Sequence, residues 1–168
     1  MSTVAQRNPD LTRKKLLEAA IELFSAHGFH AVSVDQIVSS AQVNKRMVYH
    51  YFGSKDKLFE AALASVFNRL EAVEFDAVDR GRSPKSKLSR LLESYFDFLN
   101  REPEFTRLLL WENLEKGRHL NKDNHLLSKN PFMQKFEAII RDGIERGDFR
   151  KDLDVSHLLI HFIGLCFI

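Results

Sequence analysis

Apolar side chains recur along this chain with the spacing of helix faces, and no stretch alternates with the two-residue period of a strand. The first predicted helix covers residues 12–27 and ends at Gly28. Its apolar stripe is Leu17, Ala20, Ile21 and Phe24. A second, short helix is predicted over 34–41, with one apolar face formed by Val34, Ile37, Val38 and Ala41.

Polar residues mark where the next helices begin. Ser33 and Gln36 have the spacing of a capping box, in which each side chain bonds the backbone amide of the other residue. Asn44 is the expected N-cap of a third helix over 45–51. After a break at Gly53, Ser54 is expected to cap a long helix. The apolar stripe of that helix is Leu58, Ala62, Val66, Leu70 and Val73.

The rest of the chain keeps helical punctuation. Ser83-Pro84 and Asn130-Pro131 each pair an N-cap residue with a proline at the first helical position, where the missing amide costs nothing. Three further residues mark helix ends, Pro103 and Asp154 as openings and Gly147 as a closing glycine. Residues 116–129 are the expected long connection. The predicted fold class is therefore all-α.

Composition narrows the class of protein. The chain has 168 residues, 44% of them apolar, enough for a packed core in one domain or in a small module fused to a second helical part. Its single cysteine, Cys166, cannot form a disulfide within the chain, which suggests a reducing compartment. The longest apolar stretch, 158–168, is shorter than the span of about 20 residues that crosses a bilayer. We therefore expect a soluble, cytoplasmic protein with no membrane partner.

Residues 33–55 carry the candidate chemistry. Two short helices joined by a tight turn at 42–44 form a helix-turn-helix, whose second helix enters the major groove of DNA. The residues that share an outward arc of about 140° on this helix are Lys45, Arg46, Tyr49 and His50. Val48 and Tyr51 project toward the supporting helices. The net charge is only +2, so the position of these charges, rather than their number, indicates nucleic acid.

Each outward side chain has a role in this interpretation. Arg46 suits a bidentate contact to guanine, and Lys45 suits either a base or a phosphate. Tyr49 and His50 are expected to hydrogen-bond phosphate oxygens, and Met47 to contact a thymine methyl group.

Contacts to the DNA backbone would set the register. Ser33, Lys55 and the amides at the start of the Ser54 helix suit phosphates, because a helix N-terminus attracts anions. The alternative is a helical protein-interaction module whose helix-turn-helix does not bind DNA, since short helix pairs with surface lysines also occur in such domains. A salt titration separates the two, because affinity for random duplex falls steeply with salt only for a DNA reader.

Two runs of sequence carry a resemblance to a known family: GFHAVSVDQIV at 28–38 and VNKRMVYHYFGSKDKL at 43–58. In order and spacing they resemble the N-terminal domain of the tetracycline-repressor (TetR) family, over residues 12–60. The resemblance implies a bacterial transcription regulator, an all-α homodimer on a palindromic operator, usually a repressor released by a small-molecule effector. The matching DNA contacts are Ser33, Asn44, Lys45, Arg46, Met47, Tyr49, His50, Tyr51 and Lys55.

The same resemblance divides the chain into a DNA-binding helix-turn-helix domain at 10–54 and a helical ligand-binding and dimerisation domain at 55–168. Three departures matter. The family usually has glycine where this chain has Gln42, and a left-handed conformation there costs another residue about 1–2 kcal/mol. Arg46 stands where small residues are common, which suggests a distinctive operator. Family members dimerise through two last helices, and this chain ends inside the first, so we expect a truncated chain or a reduced interface.

The apolar residues of 84–168, Phe96 among them, are expected to form core more often than cavity. A pocket for an effector also needs a few polar groups, and the candidates are Tyr95, Trp111, Glu112 and His119. His119 and His125 lie in a polar connection and are expected to be solvated. Cys166, in an apolar run, is expected to be buried.

His157 and His161 are four residues apart, a spacing that can bind metal, but no third ligand is evident nearby. Packed or interfacial histidines are the favoured interpretation, and no metal or other cofactor is predicted. An enzyme is not indicated, because the chain has no G-x-S-x-G, no phosphate-binding loop and no Cys-x-x-Cys pair.

Overall fold

The computed structural model describes residues 9–73, 76–120 and 130–165, except the side chains of Asp76 and Ala77. Regular structure in these ranges is helical, without a strand, as the hydrophobic pattern predicts. The helices are α1 (Pro9–Ala31), α2 (Val34–Ala41), α3 (Arg46–Phe52), α4 (Lys55–Glu71), α5 (Asp76–Asp79), α6 (Pro84–Arg101), α7 (Pro103–Leu114), α8 (Pro131–Glu145) and α9 (Val155–Leu165). None of these helices is long and apolar enough to cross a membrane.

The described residues fall into two compact units. The N-terminal unit contains α1 to α3, α4 as far as Val66, and the segment Arg107–Asn121 as far as it is described. The bundle unit contains Phe67–Thr106 and the described residues after Lys122. This is a division by packing. The functional division predicted at residues 54 and 55 stays a prediction.

The first helix bends at Gly28, the residue at which the sequence predicts its end. Gly28 has φ 78° and ψ 171°, so the helical path is interrupted there before Ala31. The buried face lies one residue away from the predicted stripe at its start. Leu16 is fully buried and Leu17 only partly, whereas Phe24 is buried as predicted.

The helix-turn-helix follows its predicted caps. Ser33 and Gln36 form the reciprocal capping box at the start of α2. The third helix is displaced by one residue from its predicted bounds. Asn44 nevertheless caps it, since its Oδ1 accepts from the amide of Arg46 at 2.9 Å and Lys45 already has helical dihedral angles.

The long fourth helix also begins as predicted. The hydroxyl of Ser54 accepts a hydrogen bond from the amide of Lys57 at 3.1 Å. The predicted stripe of α4 lies in the interior as far as Leu70, while Val73 is half-buried. α1 packs against both α2 and α3, so the short α3 is supported by the longest helix of the unit.

The bundle unit confirms the predicted helix ends. Ser83 caps α6, Asn130 caps α8, and both helices carry proline in the first turn. The core is aromatic, with Tyr95 stacked on Phe132 at 4.4 Å between ring centroids. The prediction that Phe96 belongs to the core is wrong, because that side chain is 55% exposed. It follows Tyr95 directly and therefore projects about 100° away from the buried face of α6.

Candidate DNA interface

The outward face of α3 is polar and open to solvent. Lys45, Arg46, Tyr49 and His50 are all exposed, and Tyr49 keeps 51% of its surface accessible. Val48 is fully buried and anchors the opposite side of the helix. The predicted arc therefore exists, and the helix has the slim, polar outer surface that a major groove admits.

Lys45 has a partner that the sequence does not suggest. Its Nζ lies 2.8 Å from Oδ1 of Asp35, on the preceding helix. The hydrogen bond and the charge of Asp35 raise the pKa of Lys45 above its ordinary value. Both side chains are exposed, and such pairs contribute little to stability. Lys45 therefore stays charged and can exchange this carboxylate for another anion at small cost.

The remaining side chains of α3 and its approach differ in exposure. Met47 and Tyr51 are half-buried, and the Tyr51 ring lies 4.9 Å from that of His50. Ser33 and Asn44 are exposed although each also caps a helix. Because Ser33 uses its hydroxyl oxygen as an acceptor in the cap, the hydroxyl proton is still available to a phosphate.

Lys55, the first residue of α4, lies over an aromatic ring. Its Nζ is 4.3 Å from the centroid of Phe29, within the range of a cation–π interaction. Partial burial lowers the pKa of Lys55 below its ordinary value. The sequence does not predict the contact to Phe29, since it joins residues far apart in the chain, on either side of the helix-turn-helix. It holds the ammonium group of Lys55 beside the ring of Phe29.

The turn between α2 and α3 contains the predicted departure from glycine. Gln42 has φ 54° and ψ 45°, a left-handed conformation. Its amide donates to the carbonyl of Ser39, and the amide of Val43 donates to that of Val38 at 3.1 Å. These bonds close the end of α2 and hold Gln42 in a strained region. The left-handed conformation of Gln42 therefore costs the folded state about 1–2 kcal/mol.

The predicted effector-pocket residues do not all lie in one unit. Tyr95 belongs to the bundle unit, whereas Trp111, Glu112 and His119 belong to the N-terminal unit. The prediction that His119 is solvated is wrong, because it is only 4% exposed and packs on the rings of Phe29 and Phe59. A role of these four residues in a pocket stays a prediction. His125 and Cys166 lie outside the described residues.

The two histidines of α9 are exposed. Nδ1 of His161 lies 2.7 Å from the carbonyl oxygen of His157. Across the described ranges, no group of three or more His, Cys, Asp or Glu side chains is arranged to hold a metal ion. Within the part of the chain that the structure describes, these two histidines are therefore not packed in a core. Their placement in an interface stays a prediction.

Comparison with known proteins covers both parts of the chain. Residues 16–62 match the family model of bacterial regulatory proteins of the tetR family, and residues 84–168 match that of the tetracyclin repressor-like C-terminal domain. The HTH-type transcriptional repressor NicS of Pseudomonas putida is 35% identical over 98% of this chain and 78% of its own length. The repressor SCO4008 of Streptomyces coelicolor is 28% identical over 96% of this chain and 80% of its own.

Solved structures share the fold. The TetR family transcriptional regulator PfmR from Thermus thermophilus aligns with a TM-score of 0.69 and 25% identity, over 90% of this chain and 84% of its own. The fatty acid degradation regulator FadR from Bacillus halodurans aligns with a TM-score of 0.74 over 96% of this chain and 82% of its own. At 19% identity, this second likeness concerns the fold alone.

Proposed function

We propose that this chain, which belongs to the tetR family of bacterial regulatory proteins and is therefore a DNA-binding transcriptional regulator rather than an enzyme, acts as a repressor on a palindromic operator. The observation that carries the proposal is the exposed polar face of α3, opposite the buried Val48. The names of NicS and SCO4008, both repressors, support the sign of regulation.

The proposed contacts divide by chemistry. Arg46 reads a guanine, because its guanidinium is exposed and forms no ion pair among the described residues. Lys45 leaves Asp35 for a base edge or a phosphate, and Met47 contacts a thymine methyl group. The side chains proposed to bind phosphates are Ser33, Asn44, Tyr49, His50, Tyr51 and Lys55.

A homodimer would present two reading helices. α9 supports this proposal, since none of its described residues is buried and Ile160 and Leu165 are 64% and 71% exposed. Apolar surface of this kind is covered in an assembly more often than left in water. In a two-fold dimer the two α3 helices sit about 34–36 Å apart, one turn of DNA.

The proposed partner in regulation is a small-molecule effector, acting in the cytoplasm on the DNA-bound protein. Such a ligand shifts the protein away from its operator only by its differential affinity for the two states, typically about 1–3 kcal/mol. A broad screen of compounds against the protein–duplex complex tests this part. Release by no compound in the screen would contradict it.

DNA recognition is tested by selecting duplexes from a random library with the purified protein and titrating salt against the best one. We expect an inverted repeat and a steep linear fall of log K with log salt, because each phosphate contact releases condensed counterions. A protein-interaction module would instead return no enriched sequence and a flat salt profile. The Lys55→Ala protein is the matched probe: it is expected to weaken binding to all sequences alike.

A further inference from the structure

The end of α7 is packed onto the N-terminal unit through a tryptophan. The chain leaves that unit after Val66 and returns to it at Arg107. Nε1 of Trp111 donates to the carbonyl oxygen of Ser25 at 3.2 Å. At Gly28 a Cβ atom would lie 2.9 Å from the indole ring, and the φ of +78° also disfavours a side chain. Trp111 therefore fits against α1 only because the bend is a glycine.

The residue after Trp111, Glu112, forms a buried acid–imidazole pair with His119. Glu112 is fully buried, and Oε2 lies 2.9 Å from Nδ1 of His119. Its other oxygen accepts from the amides of His119 and Leu120. The carboxylate thus closes residues 112–120 into a loop with its own side chain at the centre. In this Glu112–His119 pair, as we call it, both carboxylate oxygens have hydrogen-bond partners.

His119 and its neighbour Arg118 both contact residues that lie next to Lys55. The His119 ring packs on Phe29 at 4.8 Å and on Phe59 at 4.7 Å between centroids. Phe29 is the ring over which the ammonium group of Lys55 lies. The neighbouring Arg118 binds Asp56, the residue after Lys55, at 3.2 Å.

Holding a loop with a buried ionisable pair carries a desolvation cost. Taking a carboxylate out of water costs several kcal/mol, and well-packed apolar side chains of similar volume often do as well or better. What hydrogen bonds add is a defined geometry, because the loop has one arrangement in which they are all made. The pair is therefore better suited to setting a position than to adding stability.

We propose that Glu112 and His119 are positioning residues for DNA binding, which hold the end of α7 against Phe29 and Asp56 and so set where Lys55 presents its ammonium group to a phosphate. The inference rests on the proposed contact between Lys55 and DNA. It adds a region of the chain beyond residue 106 to the DNA-binding machinery.

The test compares full-length His119→Leu, Lys55→Ala and the double variant on the duplex selected by the wild-type protein. His119→Leu keeps an apolar side chain against the two phenylalanines but removes the ring donor to Glu112. We expect it to weaken binding about tenfold and to lower the salt slope by about 0.9 for each subunit bound, as loss of one phosphate contact does. The double variant should bind no more weakly than Lys55→Ala, since both changes act on one contact.

Conservative rescue separates positioning from folding. His119→Asn supplies an amide donor in place of Nδ1–H and is expected to restore both affinity and salt slope. If His119→Leu does not fold, Arg118→Ala takes its place, because its exposed side chain binds Asp56 and its loss leaves the core intact. We expect a smaller loss of affinity from it, in the same direction, with an unchanged melting temperature.

Two results would overturn the positioning role alone. One is a double variant whose losses multiply independently. The other is a folded His119→Leu or Arg118→Ala protein with the affinity and salt slope of the wild type, while Lys55→Ala is impaired. A Lys55→Ala protein that binds like the wild type would instead contradict the proposed phosphate contact itself, so the two failures are distinguishable.

Discussion

α3 and α9 each leave one side uncovered, and the two sides differ in chemistry: that of α3 is mostly charged, and that of α9 includes large aliphatic side chains. The face of α3 carries Lys45, Arg46 and His50, while only Val48 among its residues is fully buried. The uncovered side of α9 carries the apolar Ile160 and Leu165 beside His157 and His161, and no described residue of that helix is buried. Each helix therefore presents a surface that a partner could cover.

The two surfaces differ in the kind of partner that each would bind. Charged side chains in water carry no desolvation cost, so the face of α3 stays hydrated until a strongly charged partner displaces its water and ions. Exposed aliphatic surface costs about 25 cal/mol for each Å², so the face of α9 gains free energy from any fitting apolar partner. A salt-dependent ligand is expected on α3 and a salt-tolerant protein contact on α9.

The largest effect should come from a charge on α9. Ile160→Asp places a carboxylate where we expect the dimer interface, and we expect dimer dissociation to become more favourable by about 3 kcal/mol or more, a factor above about 100. Operator affinity should fall with it, because each monomer then binds one half-site. Analytical ultracentrifugation measures the dimer and fluorescence anisotropy the DNA affinity.

Ser89→Asp is the control for that prediction. It adds the same charge at an exposed serine of α6, outside the proposed interface on α9. It should leave both the dimer and the operator affinity unchanged. An Ile160→Asp protein that stays dimeric would show that the dimer interface is not formed by α9.

The next effect concerns the polar face of α3. Arg46→Ala should cost about 1–3 kcal/mol of operator affinity and relax the preference at one base pair, since a bidentate guanine contact is lost. Arg141→Ala removes another exposed arginine, on α8, and should change neither quantity. Selection of duplexes with each variant measures the preference. Unchanged preference in Arg46→Ala would show that the sequence is read by other side chains.

Local patterns predict most of this fold because they act within one or two turns. The capping box at Ser33, the prolines that open α6, α7 and α8, and the glycine at the bend of α1 each determine a helix end from neighbouring residues. The outward arc of α3 follows from helical periodicity alone. These predictions require no knowledge of the tertiary fold.

Contacts between distant residues cannot be predicted in the same way. His119 is surrounded by polar neighbours in the sequence, which place it in solvent, yet Phe29, Phe59 and Glu112 bury it. Asp35 and Lys45 meet across the turn, ten residues apart. No periodicity or short motif connects such positions, so tertiary packing alone reveals them.

The smallest effect concerns the turn that sets the angle of α3. Gln42→Gly should raise the free energy of unfolding by about 1 kcal/mol, because glycine adopts the left-handed conformation without the cost that glutamine bears. Gln134→Gly is the same chemical change inside α8, and it should lower the free energy of unfolding by about 1 kcal/mol, since glycine is a poor helix former. Urea unfolding at one protein concentration measures both. If the two variants change the free energy of unfolding in opposite directions, the strain lies at the turn. Dimerisation through α9 should be unchanged in Gln42→Gly. If both variants lower the free energy of unfolding, the turn relaxes in solution and does not hold α3 in place.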